Sequence, residues 1–368
     1  ASARWRDQLK EGNRSANVAA VFEHFDDAAL ETILFPPGIE RTALKTRHPL
    51  GFSAYELPGE LSGSAVLGHL AALAPTAEGI LAFCREEGIR YLELRGSPHK
   101  YRPKNPQQWL RDFKAAWDGF NPNDTVTLRF IWIADRRQLE QLPPLVKAAA
   151  GARRALGDFL VGIDLAGDES INCPEKLAPD FAPAFEACLP ITIHAGEGES
   201  AHNIWEAAYH LHADRIGHGL TLNQHPNLLT RFVHRDICLE LCPTSNREVV
   251  GFRDPDFPGS IDCPTYPLAD LWRQGLSLTL CTDNPGISRT TPADEFLAAA
   301  RMMDHLTLWD TLAIIKPSTA RSAAETCRPR NTSPYYQPFQ PALNGSYATT
   351  PPAQFFGSQS LSGMHLYL

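Results

Sequence analysis

The chain has no cysteine pair at CxxC spacing, no apolar run near the ~20 residues of a membrane span and no excess of basic charge. Each absence removes a class of protein. Its eight cysteines, at 84, 173, 188, 238, 242, 263, 281 and 327, are scattered. They form neither a zinc ribbon nor a redox dithiol and read as reduced, mostly buried thiols of a cytoplasmic protein. The opening residues, ASARWRDQ, lack the charged-then-apolar pattern of a secretory signal. With 34 Lys and Arg against 42 Asp and Glu, a formal net charge of −8 and a pI near 5.9, no basic face is expected to meet a phosphate backbone. The expected partner is a small polar molecule rather than a nucleic acid or a membrane. Oligomeric state leaves no signature.

What is present is a long chain, 368 residues of which 43% are hydrophobic, enough for one large core or two average domains. From residue 52 onward, short apolar runs rich in β-branched residues alternate with stretches of helical period. Eight runs are read as strands: 52–57, 90–96, 125–133, 159–167, 189–197, 214–220, 237–243 and 276–283. Helix-like segments such as AEGILAFCREEG and AHNIWEAAYHLHA separate them and are long enough to cross over a parallel sheet. The expected fold is therefore α/β, a (β/α)8 TIM barrel over 52–320, with an N-terminal extension over 1–51 and a low-complexity tail over 321–368. Residues 331–368 hold no Lys, Arg, Asp or Glu and are rich in Pro, Ser, Gln and aromatics, so the tail is expected to be poorly ordered.

Barrels of this kind place their chemistry at the C-terminal ends of the strands. Glu60, Arg95, Asp164, His194 with Glu197, His218, Asn246, and Asp283 with Asn284 all fall there. Interior barrel positions are normally branched aliphatics, so this joint placement favours a site over packing. In His194-Ala-Gly-Glu197, an imidazole on a strand end is followed, past a flexible glycine, by a carboxylate. His218 in RIGHG and Asp283 in CTDNP follow on later strands. A His ligand, an Asp ligand, a second His to orient water and a Glu to move protons describe metal-assisted hydrolysis. Arg95 and His99, in RGSPH, are placed near the mouth as substrate contacts or as a salt-bridged arginine. Cys238 and Cys242 are read as packing residues.

Five segments, GIDLAGDE, ITIHAGE, RIGHG, LELCPTSN and TDNPGIS, resemble the successive motifs of the adenosine deaminase family, in that family's order. The resemblance runs from about residue 56 to 320. It implies that His194 binds zinc, that Glu197 is the acid that protonates purine N1, and that His218 positions the metal-bound hydroxide. It also implies that Asp283 binds zinc and that Gly167 donates its backbone N–H to the purine.

Two departures qualify what the resemblance implies. The family's His-x-His pair on the first strand is replaced by Pro58-Gly59-Glu60 in ELPGELSGS, which leaves Glu60, His194 and Asp283 as a reduced ligand set. One such site per chain would suit Zn, Mn or Fe, and binding of no metal is the alternative. Asn284 stands where the family has a second Asp, and its amide can still donate to purine N7. Ser62, where some members carry an acidic residue, would tolerate a phosphate or other substituent near the ribose. Three functions follow: a hydrolytic deaminase of an aminopurine nucleoside or nucleotide, a repurposed purine lyase or glycosidic-cleavage enzyme that needs no metal, and a catalytically silent purine-binding barrel.

Overall fold

The computed structural model describes residues 24–26, 28–29, 41–56, 59, 66–171, 174–303, 306–320 and 365–367. Seven parallel strands curl into the wall of a (β/α) barrel: β1 Tyr91–Gly96, β2 Thr127–Asp135, β3 Leu160–Ala166, β4 Ile191–Ala195, β5 Arg215–His218, β6 Cys238–Leu241 and β7 Ser277–Leu280. Each pairs in parallel with the next in sequence, as successive β-α units require. A short helix, α1 Leu44–Arg47, precedes the longer ones: α2 Leu70–Glu86, α3 Pro106–Phe120, α4 Leu142–Leu156, α5 Ala201–Tyr209, α6 Pro226–Arg235, α7 Pro243–Val249, α8 Leu268–Arg273, α9 Pro292–Met302 and α10 Leu308–Ala320.

Local chemistry explains the helix starts. In α3, Pro106 sits in the first turn, the Asn105 side chain accepts from Gln108 N at 3.1 Å, and Trp109, Leu110, Phe113 and Trp117 form the buried stripe. In α9, Thr291 and Asp294 close a reciprocal capping box. The buried faces of these helices join the strand side chains in one continuous apolar core. None of the described helices is long and apolar enough to cross a membrane.

The strand count is corrected at both ends. Residues 53–56, within the first expected strand, are helical. FSAYEL contains no β-branched residue, whereas Ala, Glu and Leu favour helix. The eighth strand comes instead from the tail: β8, His365–Tyr367, pairs antiparallel with β1, with Glu93 opposite Tyr367 and Arg95 opposite His365. The other expected strands fall on β1 to β7, with β2 running two residues past its expected end and the remaining ends matching or trimmed by up to three residues. Glu60, Ser62 and Pro58, and the tail over 321–364, lie outside the described residues.

The segment 41–56 is tied to the barrel. Arg41 bonds Glu248 at 2.9 Å and the Ile287 carbonyl at 2.6 Å. Lys45 pairs with Glu199 at 2.5 Å, and Leu44 and Tyr55 pack with Val249 and Ile287 in a separate apolar cluster. Tyr55 is thereby carried over the C-terminal ends of the strands.

Candidate active site

Strand ends bring six of the residues expected from sequence into the lining of one cavity of about 690 Å³: Gly167, His194, Glu197, His218, Asp283 and Asn284. Gly167 follows β3, His194 and Glu197 come from β4 and its loop, His218 ends β5, and Asp283 and Asn284 follow β7. His218 (φ 64°) and Asp283 (φ 55°) adopt left-handed backbone conformations. For a non-glycine residue this costs about 1–3 kcal/mol and persists where the surroundings over-determine it, as at a functional site. Tyr55, His99, Lys100 and Arg137 complete the wall toward the mouth.

His194 is held from below and behind. Its Nδ1 lies 3.0 Å from the Asp164 carboxylate, and its carbonyl accepts from Arg136. Burial alone would raise the Asp164 pKa, but His194 and Arg95 outweigh it and hold the group well below the usual carboxylate range. The ionised carboxylate accepts, so Nδ1 carries the proton and Nε2 is the basic nitrogen. This is the orienting arrangement in which metal-binding histidines are found. Gly217 on β5 makes room for the ring: a Cβ there would sit 3.2 Å from His194 Cγ and Nδ1.

Arg95 occupies the barrel interior and not the mouth. It is fully buried and bridges Asp164 at 2.7 Å and Glu240 at 2.5 Å. Arg215 continues the chain of charges, bonding Glu93 at 2.7 Å and lying 3.3 Å from Glu240. The alternation of β1 puts Glu93 and Arg95 on the same, inward face. Of the RGSPH pair, only His99 lines the cavity.

Glu197 has its Oε1 accepting from Asn246 Nδ2 at 3.1 Å, while Oε2 stands 3.6 Å from His218 Nε2. Burial first, then the negative charges of Asp283 and Glu169, raise its pKa well above the usual value. The shift favours the protonated form, the one an acid catalyst uses. Its loop is anchored by Glu169, whose carboxylate accepts from the N–H groups of Gly196 and, at 2.8 Å, Glu197. Gly167 turns with φ 94°, and a Cβ there would meet Asp135 Oδ1 at 2.7 Å, so only glycine keeps this backbone against the cavity.

Asp283 Oδ2 accepts from Ser245 Oγ at 2.7 Å and from Tyr55 OH at 3.2 Å. The Asn284 amide lies 3.4 Å from Oδ1. Tyr55, Ser245, Glu169 and Tyr266 were not singled out from sequence. Glu169 and Ser245 lie within the motif segments GIDLAGDE and LELCPTSN, which could have flagged them, whereas the partners of Tyr55 and Tyr266 lie 228 and 20 positions away and no motif marks either residue. Asp164 could have been read further, as a charged residue in the middle of the otherwise apolar run LVGIDLA.

Among the described residues no group of three or more His, Cys, Asp or Glu side chains converges closely enough to hold a metal ion. His194, with Nδ1 oriented by Asp164, has the chemistry of a ligand, and Asp283 offers a carboxylate beside it in the cavity lining.

The adenosine deaminase family model matches residues 57–331, a span that contains every cavity residue placed above on a strand end. The chain belongs to the adenosine deaminase family. Among its relatives, the adenosine deaminase of Pectobacterium atrosepticum is 31% identical over 242 residues, 65% of this chain and 68% of that protein. That of Vibrio vulnificus is 27% identical over 247 residues, 66% and 69% of the two chains. In fold, this adenosine deaminase family member is similar to an amidohydrolase of Burkholderia ambifaria with bound Zn, at TM-score 0.64 and 20% identity, covering 85% of this chain and 82% of that one. It is also similar to an Arabidopsis ADAL protein complexed with IMP, at TM-score 0.63 and 21% identity, covering 84% and 86%.

Proposed function

We propose that this protein deaminates an aminopurine nucleoside or nucleotide by adding water to the ring carbon that bears the amino group. The observation that carries the reading is Glu197: a half-buried carboxyl with a raised pKa, fixed by Asn246, in the same cavity as His194, His218 and Asp283. Family membership supports the reaction class, and the IMP complex of a similarly folded protein supports a nucleotide as well as a nucleoside as substrate.

Glu197 gives its proton to ring nitrogen N1, which makes the adjacent carbon electrophilic. His218 holds the attacking oxygen, and ammonia leaves as the amine takes up a proton. The backbone N–H of Gly167 and the amide of Asn284 hold the purine edge, the latter by donating to N7. A neutral Ser62, where some family members carry an acidic residue, would tolerate a substituent on the ribose. His194, Asp283 and Glu60 are the residues that would hold one Zn, with Mn or Fe as alternatives. Such an ion would supply a Lewis acid that brings the pKa of bound water to about 7.

The replacement of the family's His-x-His pair by Pro58-Gly59-Glu60 favours a second reading. There the purine cavity and the Glu197 acid are kept for base release without a metal, or for binding alone. The deciding experiment is metal analysis of purified, chelator-free protein beside Glu60→Ala and Asp283→Ala, followed by a panel of aminopurines. Near one metal per chain, lost in both variants, with ammonia released, supports the deaminase. Release of free base without metal supports the second reading, and tight purine binding with no product supports a silent binder.

A further inference from the structure

Asn246 has no exposed surface, and its side chain makes its full complement of hydrogen bonds. Its Oδ1 receives the backbone N–H of Cys242 at 3.2 Å and the hydroxyl of Tyr266 at 2.9 Å. A backbone N–H can only donate, so the atom facing it is the amide oxygen, and the opposite orientation would set an NH₂ against that N–H. Nδ2 is then the donor pair. One hydrogen goes to Glu197 Oε1 at 3.1 Å, the other to His218 Nδ1 at 3.0 Å. An imidazole nitrogen that receives a hydrogen bond carries no proton, so in neutral His218 the proton is on Nε2.

The frame that fixes this orientation is rigid. Asn246 lies in α7, its own N–H bonds the Cys242 carbonyl at 2.8 Å, and its carbonyl accepts from Val250 and Gly251 at 3.0 Å. Tyr266 is buried against Phe252, with ring centroids 5.0 Å apart. Neither can rotate to offer His218 Nδ1 an acceptor without breaking these bonds.

We propose that Asn246 is a positioning residue that selects the Nε2–H tautomer of His218, so that the ring meets an oxygen in the cavity as a hydrogen-bond donor and not as a base. His218 Nε2 lies 3.6 Å from Glu197 Oε2, longer than a hydrogen bond. In the proposed reaction His218 then orients and stabilises the attacking oxygen, the first proton lost by water goes to the Glu197 carboxylate left when N1 takes its proton, and the second leaves with the amine as ammonia.

The test is the long-range proton–nitrogen NMR spectrum of the full chain labelled with ¹⁵N-histidine, at neutral pH. Signals of His218 are identified among the 13 histidines by their loss in His218→Gln. The wild type is expected to show a protonated Nε2 and an unprotonated Nδ1. Asn246→Asp, whose carboxylate accepts, inverts the pattern, and Asn246→Ala gives a mixture of the two. A protonated Nδ1 in the wild type overturns the proposal without reference to any variant. So does a pattern unchanged in Asn246→Ala, which keeps the test decisive if the buried aspartate prevents folding. A second arm rests on the deaminase reading: Asn246→Ala lowers kcat by about 10²-fold, the scale of a misplaced proton-transfer group, with KM little changed. A protein that turns over no aminopurine removes that reading but leaves the NMR result to decide the tautomer.

Discussion

Arg95 Nη1 and Asp164 Oδ2 meet at 2.7 Å with neither side chain exposed, directly beneath the imidazole that the same carboxylate orients. The second guanidinium arm reaches Glu240 at 2.5 Å, so one cation stands between two buried carboxylates. Replacing it by methionine strips Asp164 of its arginine and leaves Glu240 with Arg215 alone, at 3.3 Å. Removing one partner from a buried ion pair costs about 3–5 kcal/mol. Arg95→Met is expected to lose that much stability in urea denaturation and to lower kcat as well, because Asp164 no longer holds His194. A loss below about 1 kcal/mol would show that water reaches the network and supports it in place of arginine.

Much of this site could be read from the chain itself, because short apolar runs separated by helical stretches mark β1 to β7 and barrel strands deliver their ends to one mouth. His194, Glu197, His218, Asp283 and Asn284 were legible for that reason. Tyr55 was not: its partner Asp283 is 228 positions away, and the segment bearing it is helical where a strand was expected. The role of Asn246 was hidden for a related reason. The residue was expected on a strand end and lies instead in α7, just past β6, and its meaning depends on Tyr266 and Cys242 fixing which end of the amide is oxygen. β8 was equally illegible, since a short antiparallel strand is selected by the open edge of β1 and not by any local pattern.

Gly217 is the point where the RIGHG motif serves its neighbour. An alanine methyl would lie 3.2 Å from two atoms of the His194 ring, and the ring cannot withdraw without losing Asp164. Gly217→Ala is expected to cost about 1–3 kcal/mol, the range for overpacking a tight interior. Its effect on turnover should exceed its effect on folding. Circular dichroism melts beside steady-state rates separate the two, and a folded variant with wild-type rates would show that the imidazole position is not critical.

The Tyr55 hydroxyl lies 3.2 Å from both Asp283 Oδ2 and Ser288 Oγ, and Ser288 in turn reaches Glu248 at 3.2 Å. Tyr55→Phe removes a donor from a buried carboxylate and is expected to cost about 1–3 kcal/mol. The double variant with Ser288→Ala should cost less than the two single changes together, because the hydroxyls share one network. Additive losses in a denaturation cycle would show that the two groups act independently.

Glu295 supplies the clearest pH dependence of stability. It is 1% exposed, accepts from Thr290 Oγ1 at 2.6 Å and from the Thr244 N–H at 3.0 Å, and burial raises its pKa from 4.5 to about 7 despite those bonds. The folded protein therefore holds this proton more tightly than the unfolded chain. As pH rises from about 4.5 to about 7, the unfolded state releases the proton first. This group's contribution to stability then falls, by at most about 1.4 kcal/mol per pH unit, and it levels off above about 7. Glu295→Gln keeps an acceptor oxygen without the titration. Its stability should decline less than that of the wild type across this window, and the variant should gain on the wild type as pH rises toward 8. Parallel denaturation curves at pH 5 and pH 8 measure the difference, and equal slopes for the two proteins would place the Glu295 pKa near its unperturbed value.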